Sequence, residues 1–433
     1  MKTAKKTRSS PPVLFLSAFA FIVWCGSAAH AQGESALPFL LFSPSADANG
    51  MGDIAGSVPS LTATAPLANP GQLGLFSLEN VFSGAVYPEK LHWNPSIYPL
   101  KQNYTATAFN LGYNFENLWA IPIPVSIGVG YSRVVFTYGP FLFTSPSNPA
   151  GRQSVEPEET STQFTIGLGL DYLVHVGIGV SFKSIESRLG MVSGTSGVQE
   201  ATAKVSAREF GLIVVAPVTD IVSTLSDTKL DLLPRIEPLL DISFGYVHGN
   251  YGGEVYYVDA DQADPLPRKA TLGTGLEIGF AAKVRESRWR IATITLSHEA
   301  EDILVIREND GTFSYQDGLG DIKFMENVIQ GKMNPKATVR KGWQLQVAEI
   351  LFVRGGHVAA PGREYETDGF GVSINGIFRF LEFAKPELSD GWIGFVGEHF
   401  DLQYSASKYG GSTSLNVGSR FKQLNLVIKK LPF

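Results

Sequence analysis

The segments "FTIGLGLDY" (164–172) and "VHVGIGVSF" (174–182) decide the fold, because each alternates large apolar residues with small or polar ones. Phe164, Ile166 and Leu168 would face one way, and Gly167 and Gly169 would face the other. A period of two residues is that of a β-strand. Only one residue separates the two segments, so the pattern predicts two antiparallel strands joined by a tight turn.

The same alternation recurs along the chain, at 125–131, 272–280 and 370–374, and in a coarser form at 396–404. In a soluble β-sandwich the polar face would carry Lys, Glu and Thr toward water, whereas here it is rich in Gly and Ser. Small residues suit a filled or narrow lumen, and the apolar face suits lipid. The pattern therefore predicts an all-β fold, a transmembrane antiparallel β-barrel, in preference to a soluble all-β domain.

The alternation predicts thirteen strands, but a single-chain bacterial barrel has an even number. At least one strand is therefore missing, either within 301–338, where "ENDGTF" (308–313) predicts a hairpin turn, or within 355–369. The non-alternating stretch 219–234 predicts a short periplasmic helix. The predicted strands lie near 78–87, 103–115, 125–137, 163–172, 174–183, 203–217, 239–248, 270–283, 289–297, 343–353, 370–381, 394–405 and 421–431.

Residues 1–31 have the features of an export signal. Four basic residues precede the apolar run "VLFLSAFAFIVW" (13–24), and the small-x-small sequence "AHA" (29–31) follows it. The lone cysteine, Cys25, lies in this segment, so we expect no disulfide framework in the mature chain. The 433-residue chain has a net charge of −6, and loss of the basic signal makes it more acidic, which argues against nucleic acid as a partner.

No motif with catalytic or metal-binding spacing stands out. The sequence "HEAED" (298–302) lacks the second histidine of a zincin helix, and neither a phosphate-binding loop nor a nucleophile elbow is present. The run "DADQAD" (259–264) lacks the glycine and the terminal Glu of a calcium loop, so a solvated acidic loop is the better interpretation. We therefore expect a protein that is not an enzyme and that carries no cofactor or metal.

The two ends of the mature chain carry further signals. The chain closes on "LNLVIKKLPF", and the terminal Phe433 predicts recognition by the barrel-assembly machinery. Residues 32–76 do not alternate, which predicts a hatch or plug segment ahead of a barrel formed by 77–433. In this segment Gly50, Gly52 and Gly56 are poorly spaced for a dinucleotide site. Their expected role is steric, because a hatch must turn sharply beside strand backbones.

The N-terminal segment resembles the start of the PorV/PorQ family, whose members are FadL-like outer-membrane barrels of the type IX secretion system. The resemblance covers about thirty residues, and Asn-Pro is followed here by Gly71 rather than by Ala. The matching hatch residues are Gly50, Met51, Gly52, Asp53, Asn69 and Pro70.

The resemblance implies a fourteen-stranded barrel in the outer membrane, with the N-terminal segment in its lumen. It also implies a binding role, in which the barrel takes the C-terminal signal domain of secretion cargo from the type IX translocon to the surface attachment machinery. The alternative is a FadL-like transporter of hydrophobic small molecules. In both cases we expect the chain to contact outer-membrane lipid and the barrel-assembly machinery.

Overall fold

A computed structural model describes most of the chain after its N-terminal region. The described residues are 35–87, 91–93, 102–115, 124–145, 148–194, 197–227, 230–259, 261, 263–285, 287–308, 312–334, 336–361, 363–411 and 418–431.

Fourteen antiparallel strands form a closed barrel, in which each strand pairs with its neighbours in the chain. The ring closes because the first strand pairs with the last, Phe82 opposite Ile428, and also with the second, Phe82 opposite Leu111. The strands are β1 (Phe82–Val86), β2 (Gln102–Asn114), β3 (Val125–Thr137), β4 (Glu158–Asp171), β5 (His175–Gly194), β6 (Gly197–Pro217), β7 (Ile236–Gly252), β8 (Lys269–Val284), β9 (Ser287–Ile303), β10 (Thr338–Val347), β11 (Leu351–Ala360), β12 (Arg363–Ser373), β13 (Phe400–Gly410) and β14 (Arg420–Ile428).

The outer surface of the ring is apolar and the inner surface is not, as the alternation predicts. On β4, Leu168 faces outward and is 50% exposed, whereas the inward Thr165 is 2% exposed. Outward Phe, Ile, Leu and Val residues continue around the ring, for example Ile127, Leu296 and Val353. Closing the sheet removes its edges, so every strand can pair while its apolar face contacts lipid. The chain is therefore a transmembrane β-barrel.

The two ends of the barrel differ. At one end, called here the loop end, the strands are joined by long connections that include the hairpins Phe141–Ser145/Asn148–Val155, Glu254–Val255/Asp264–Pro265 and Val305–Arg307/Phe313–Tyr315, and the π-helix Phe324–Ile329. Strand Leu91–Trp93 pairs with the start of β2 at this end. At the other, the turn end, several connections are short, and this is the periplasmic end in the usual pattern of such barrels.

Two connections at the turn end are helical. The helix α4 (Val218–Ser226) follows β6, as the sequence predicts. The connection between β12 and β13 contains helix α5 (Asn375–Ala384), the 3-10 turn Pro386–Leu388 and helix α6 (Trp392–His399). Predicted strands at 370–381 and 394–405 are therefore wrong in part, because the first ends at Ser373 and the second begins only at Phe400. No described helix is long and apolar enough to cross a bilayer.

The strand missing from the prediction is β11. The predicted strand 343–353 spans the end of β10, a turn and the start of β11. The turn consists of Ala348, Glu349 and Ile350, and none of these is a residue type that usually forms a tight turn. Ala348 and Glu349 nevertheless adopt positive φ angles of 55° and 54°. The outward positions Trp343, Leu345, Val347, Leu351 and Val353 keep the same period of two through this turn, so the alternation cannot reveal it.

Residues 35–80 fill the lumen, and this segment is called the hatch below. Its elements are the 3-10 turn Pro38–Leu41, helices α1 (Ala46–Gly50), α2 (Ala65–Ala68) and α3 (Gln72–Phe76), and the 3-10 turn Ser77–Glu79. Ser45 caps α1 by accepting a bond from the Ala48 amide. At its end the hatch is tied to the residues that follow the last strand, because Leu431 N donates to Asn80 O at 3.0 Å.

Candidate functional site

Inward-facing glycines form a belt on the barrel wall where the hatch crosses the lumen. A Cβ added to Gly167 would lie only 2.6 Å from the Gly74 nitrogen, well inside ordinary van der Waals contact. Without a Cβ, wall and hatch backbones can approach this closely. This explains why the polar face of the alternation is so rich in glycine. The wall glycines that meet hatch backbone are Gly112, Gly167, Gly169, Gly177, Gly179, Gly211, Gly245, Gly342, Gly356 and Gly369.

The Gly-Met-Gly-Asp sequence crosses from α1 to the wall at β10–β12. Gly50 lies against Gly369, and Met51 is buried beside Gly342. Gly52 has a φ of +73°, and its amide donates to Thr367 Oγ1 at 2.8 Å. A Cβ at Gly52 would lie 2.6 Å from a wall carbonyl oxygen. The positive φ and the close wall together restrict this position to glycine.

Asp53 fastens the hatch to the last strands of the barrel. Its carboxylate accepts hydrogen bonds from Tyr365 Oη at 2.6 Å and from Tyr409 Oη at 2.5 Å. The two tyrosine rings pack together with centroids 4.9 Å apart. Burial raises the pKa of Asp53 above its ordinary value of 3.8, while the Arg340 guanidinium and the two hydroxyls oppose that rise.

Asn69 and its neighbours fix the other half of the hatch. The Asn69 amide donates to Gly56 O at 2.6 Å and to Leu212 O on β6 at 3.0 Å. Its side-chain oxygen accepts from Gly71 N at 2.9 Å. Pro70 lies where a Cβ on Gly179 would strike its carbonyl. Asn69 thus joins two parts of the hatch to each other and to the wall, and it is fully buried.

A buried ion-pair cluster on β8–β10 meets the hatch. Arg340 bonds Glu299 at 3.0 Å and Glu301 at 2.7 Å, and Lys269 bonds Glu301 at 2.8 Å. Glu299 also accepts the Gly56 amide at 2.9 Å. Two cations balance two carboxylates here, which is the condition for keeping such groups buried. The cluster therefore connects the hatch to the wall electrostatically.

Two further ion pairs reinforce this arrangement. Lys183 bonds Glu209 at 2.6 Å and Asn250 at 3.1 Å, and Arg354 pairs with Asp47 of the hatch at 2.9 Å. The lumen cavity between the hatch and these groups has a volume of only about 40 Å³, with Asp53, Glu209, Glu299, Glu301, Lys269 and Arg340 among its lining residues. A space of this size and polarity suits a few water molecules.

Toward the loop end the lumen becomes apolar and aromatic. Leu37 and Phe39 of the hatch are buried there among side chains from several strands. Phe42 packs edge-on against Tyr104 and Phe136, with centroids 6.4 and 5.7 Å apart. The apolar run "LPFLLF" (37–42) is thus the plug of this upper chamber rather than a strand.

The structure brings the predicted hatch residues together in the lumen, but the sequence reasoning missed their partners. Glu299 and Glu301 lie within "HEAED", a sequence in which a search for zinc ligands examines only the histidine spacing. The informative signal is their spacing of two on a strand whose other inward residues, Thr293, Thr295 and Ser297, are small and polar. Arg340 carries no comparable signal, because its pairing depends on neighbouring strands far apart in sequence.

Some predictions fall elsewhere. Phe433 and the signal segment 1–31 lie outside the described residues. In the acidic loop, Asp264 bonds Arg307 at 2.6 Å, and Asp259 accepts the Asp261 amide at 3.0 Å. Within the described ranges, no group of three or more His, Cys, Asp or Glu side chains is placed to hold a metal ion. The geometry of the lumen is suited to holding the hatch in place.

Comparisons with known proteins find some outer-membrane barrels among solved structures that are similar to this chain. No family model and no curated protein matches it. Among solved structures, a monoaromatic hydrocarbon channel, a TodX deletion mutant, is similar with a TM-score of 0.41 and 11% identity over 88% of this chain and 97% of that one. The Pseudomonas putida toluene transporter TodX is similar with a TM-score of 0.36 and 10% identity, over 89% of this chain and 98% of that one. The β-domain of the Bordetella autotransporter BrkA is similar with a TM-score of 0.35 and 9% identity, over 82% of this chain and 100% of that one.

This chain is an outer-membrane barrel. The strands form a closed ring, and the outer surface of that ring carries an apolar band, as in outer-membrane barrels.

Proposed function

We propose that this barrel acts in protein export of the type IX kind and binds the C-terminal signal domain of secretion cargo at its loop end. The observation that carries the proposal is the filled lumen. The cavity beside the hatch measures about 40 Å³ and is lined by charges, and an apolar plug lies above it. A barrel filled in this way is suited to presenting its outer surface rather than to passing solutes.

The position of the motif that resembles the PorV/PorQ family supports the proposal. Gly52 and Asp53 lie where the hatch is fastened to β12 and β13. The motif therefore closes the lumen. In this proposal the closed barrel is a scaffold without catalytic activity, and its further partners are the translocon and the surface attachment components.

The β5–β6 hairpin provides the surface for docking. These strands have 20 and 21 residues, whereas about 9–11 suffice to cross a bilayer. Their outward face changes from apolar at Phe182 and Phe210 to polar at Ser184, Glu186 and Arg208. The hairpin thus extends beyond the bilayer and offers a polar, paired surface to a folded domain.

A pocket of about 240 Å³ lies at the base of this extension. It is lined by Thr137, Val155, Glu156, Glu158, Arg188, Gly190 and Glu200. Arg188 is paired with Glu158 at 3.0 Å, which leaves Glu156 and Glu200 to give the pocket negative charge. We expect the docking face of the cargo domain to be basic at this point.

Deleting the gene and quantifying the surface proteome tests the proposal. We expect proteins with the type IX C-terminal signal to be lost from the surface. Normal display of those proteins would refute it.

A charge-reversal pair locates the surface. Glu186→Lys with Glu200→Lys at the hairpin should weaken cargo display. The matched control, Asp227→Lys with Asp231→Lys, makes the same charge change at exposed positions of the turn end and should not. Equal effects of the two pairs would contradict docking at the hairpin.

The second candidate is a FadL-like transporter of hydrophobic small molecules, and one observation favours it. The chamber around Phe39 and Phe42 is lined by aromatic and aliphatic side chains, which would face an apolar ligand if the plug withdrew. Uptake of hydrophobic solutes that is lost on deletion, while surface proteins are displayed normally, would favour this candidate over protein export.

A further inference from the structure

The helical connection between β12 and β13, residues 374–399, is fixed firmly to the turn end of the barrel. The Asn375 amide donates to Gly397 O at 2.7 Å and to Phe400 O at 2.8 Å, so α5 is held against α6. Trp289 of β9 packs on the rings of Phe380 and Phe383. This connection, called the helical hairpin below, therefore lies against the outside of β8–β9 as well as beside its own strands.

The polarity of the helical hairpin is inverted relative to that of a helix in water. The charged pair of α5, Arg379 and Glu382, is buried, with Glu382 only 1% exposed. Glu382 also pairs with Arg285 in the β8–β9 turn at 3.6 Å. On the opposite face, Ile377 and Phe380 are exposed. A helix that buries its charges against protein and exposes its apolar residues is suited to an apolar medium on its free side.

The second helix continues this free side. Trp392 is 68% exposed and Phe395 is 56% exposed. Trp and other amphipathic aromatic residues are enriched where a membrane meets water. The polar tip between the helices, with the exposed Glu387 and Asp390, lies at the end of the hairpin away from β12.

The apolar side is continuous with the lipid-facing band of the barrel. The outward residues Phe370 and Val372 of β12, and Ile374 just after the strand, lead into Ile377 of α5. Gly376 sits so close to the β10–β11 turn that an added Cβ would strike the Ala348 carbonyl. The outward apolar ends of β10 and β11 therefore adjoin the helical hairpin.

We infer that the helical hairpin lies in the periplasmic leaflet of the outer membrane, with Ile377, Phe380, Trp392 and Phe395 in contact with lipid. The hairpin widens the footprint of the barrel on one side at the turn end. It acts as an interfacial anchor that fixes the height of β8–β13 in the bilayer. This role goes beyond the proposed function and does not depend on it.

Site-directed fluorescence tests the inference on the mature, cysteine-free chain reconstituted in phospholipid vesicles. A bimane label is attached to Phe395→Cys and, separately, to Ile377→Cys. Phe370→Cys on the lipid-facing band is the positive control, and Glu387→Cys at the polar tip is the aqueous control. Doxyl-labelled lipid should quench the labels at 377 and 395 about twofold, close to the label at 370, and should leave the label at 387 nearly unquenched.

Iodide in the aqueous phase gives the opposite measurement. It should quench the label at 387 and spare those at 377 and 395. Labels at 377 and 395 that respond to iodide as strongly as the label at 387, and not to doxyl lipid, would overturn the inference. Heat-modifiability on gels shows that each variant is folded, and the two separate positions keep the test valid if one substitution prevents assembly.

Discussion

The steric role of Gly52 gives the sharpest prediction. In Gly52→Ala the new Cβ would lie 2.6 Å from the Lys341 carbonyl oxygen, and the residue would have to keep a φ of +73°. A left-handed backbone costs an L-residue about 1–2 kcal/mol, and overpacking a tight contact costs about 1–3 kcal/mol. The sum, about 2–5 kcal/mol, is the expected loss of free energy for docking the hatch.

Hydrogen exchange of the amides in residues 46–57 measures this loss. At about 1.4 kcal/mol for each tenfold change, hatch opening should increase by roughly 30-fold to 4,000-fold. The larger Gly52→Val should also impair assembly, seen as loss of heat-modifiability on gels. Wild-type exchange in Gly52→Ala would refute the reasoning, because it would show that the wall yields without cost.

Substitutions at two other glycines separate the free-energy cost of a left-handed backbone from the cost of a close contact with the barrel wall. Gly318 has a φ of +65° but nothing within 4 Å of an added Cβ, so Gly318→Ala should cost its own loop only the backbone contribution. Gly74 has an ordinary helical φ, but an added Cβ would strike the Leu168 carbonyl oxygen. Gly74→Ala therefore isolates the contact. Gly52→Ala should exceed Gly318→Ala, and equal effects would mean that the wall contact contributes nothing.

Further predictions concern the hatch, the ion pairs and the lipid face. Asn69→Ala removes three hydrogen bonds to backbone groups and should cost about 3 kcal/mol in hatch exchange; a loss below the measurement error would contradict this. Because burial raises the pKa of Asp53, its contribution to stability is greatest below its unfolded pKa of 3.8 and is lost as the pH rises through the higher folded pKa. Asp53→Asn should abolish that part of the pH dependence of hatch exchange, and an unchanged pH profile would contradict it. Arg340→Met leaves Lys269 as the only cation beside the buried Glu299 and Glu301, so one carboxylate is unbalanced. It should lower the free energy of unfolding in urea by about 3–5 kcal/mol; an unchanged midpoint would show that the cluster is solvated. Leu168→Arg on the lipid face should cost about 2–4 kcal/mol in the same assay, whereas Ser184→Arg above the apolar band should cost little, and equal losses would contradict the assigned band.

The helical hairpin shows where period-two reasoning stops. The outward apolar residues of β12 continue into α5 without a break in apolar character, so 370–381 gives the pattern of one long strand. The helix forms because Asn375 is held by carbonyls from α6 and β13. It is also held because Arg379 bonds Ser287 at the start of β9 and Glu382 pairs with Arg285 of the β8–β9 turn. These contacts join residues far apart in the chain, so the local sequence does not contain them.

The sequence by itself determined the membrane barrel, because an alternating strand can satisfy its backbone and bury its apolar face in lipid only within a closed ring. It also determined that another backbone could lie close against the inner face, because that face carries no side chain at Gly167, Gly169, Gly177 and Gly179. Tertiary structure alone decided what fills that space and how it is held. The Asp53 bonds to two tyrosines form only when the hatch lies inside the barrel against β12 and β13. The pairing of Arg340 with two glutamates forms only when β10 pairs with β9, which brings residues distant in sequence within hydrogen-bonding distance.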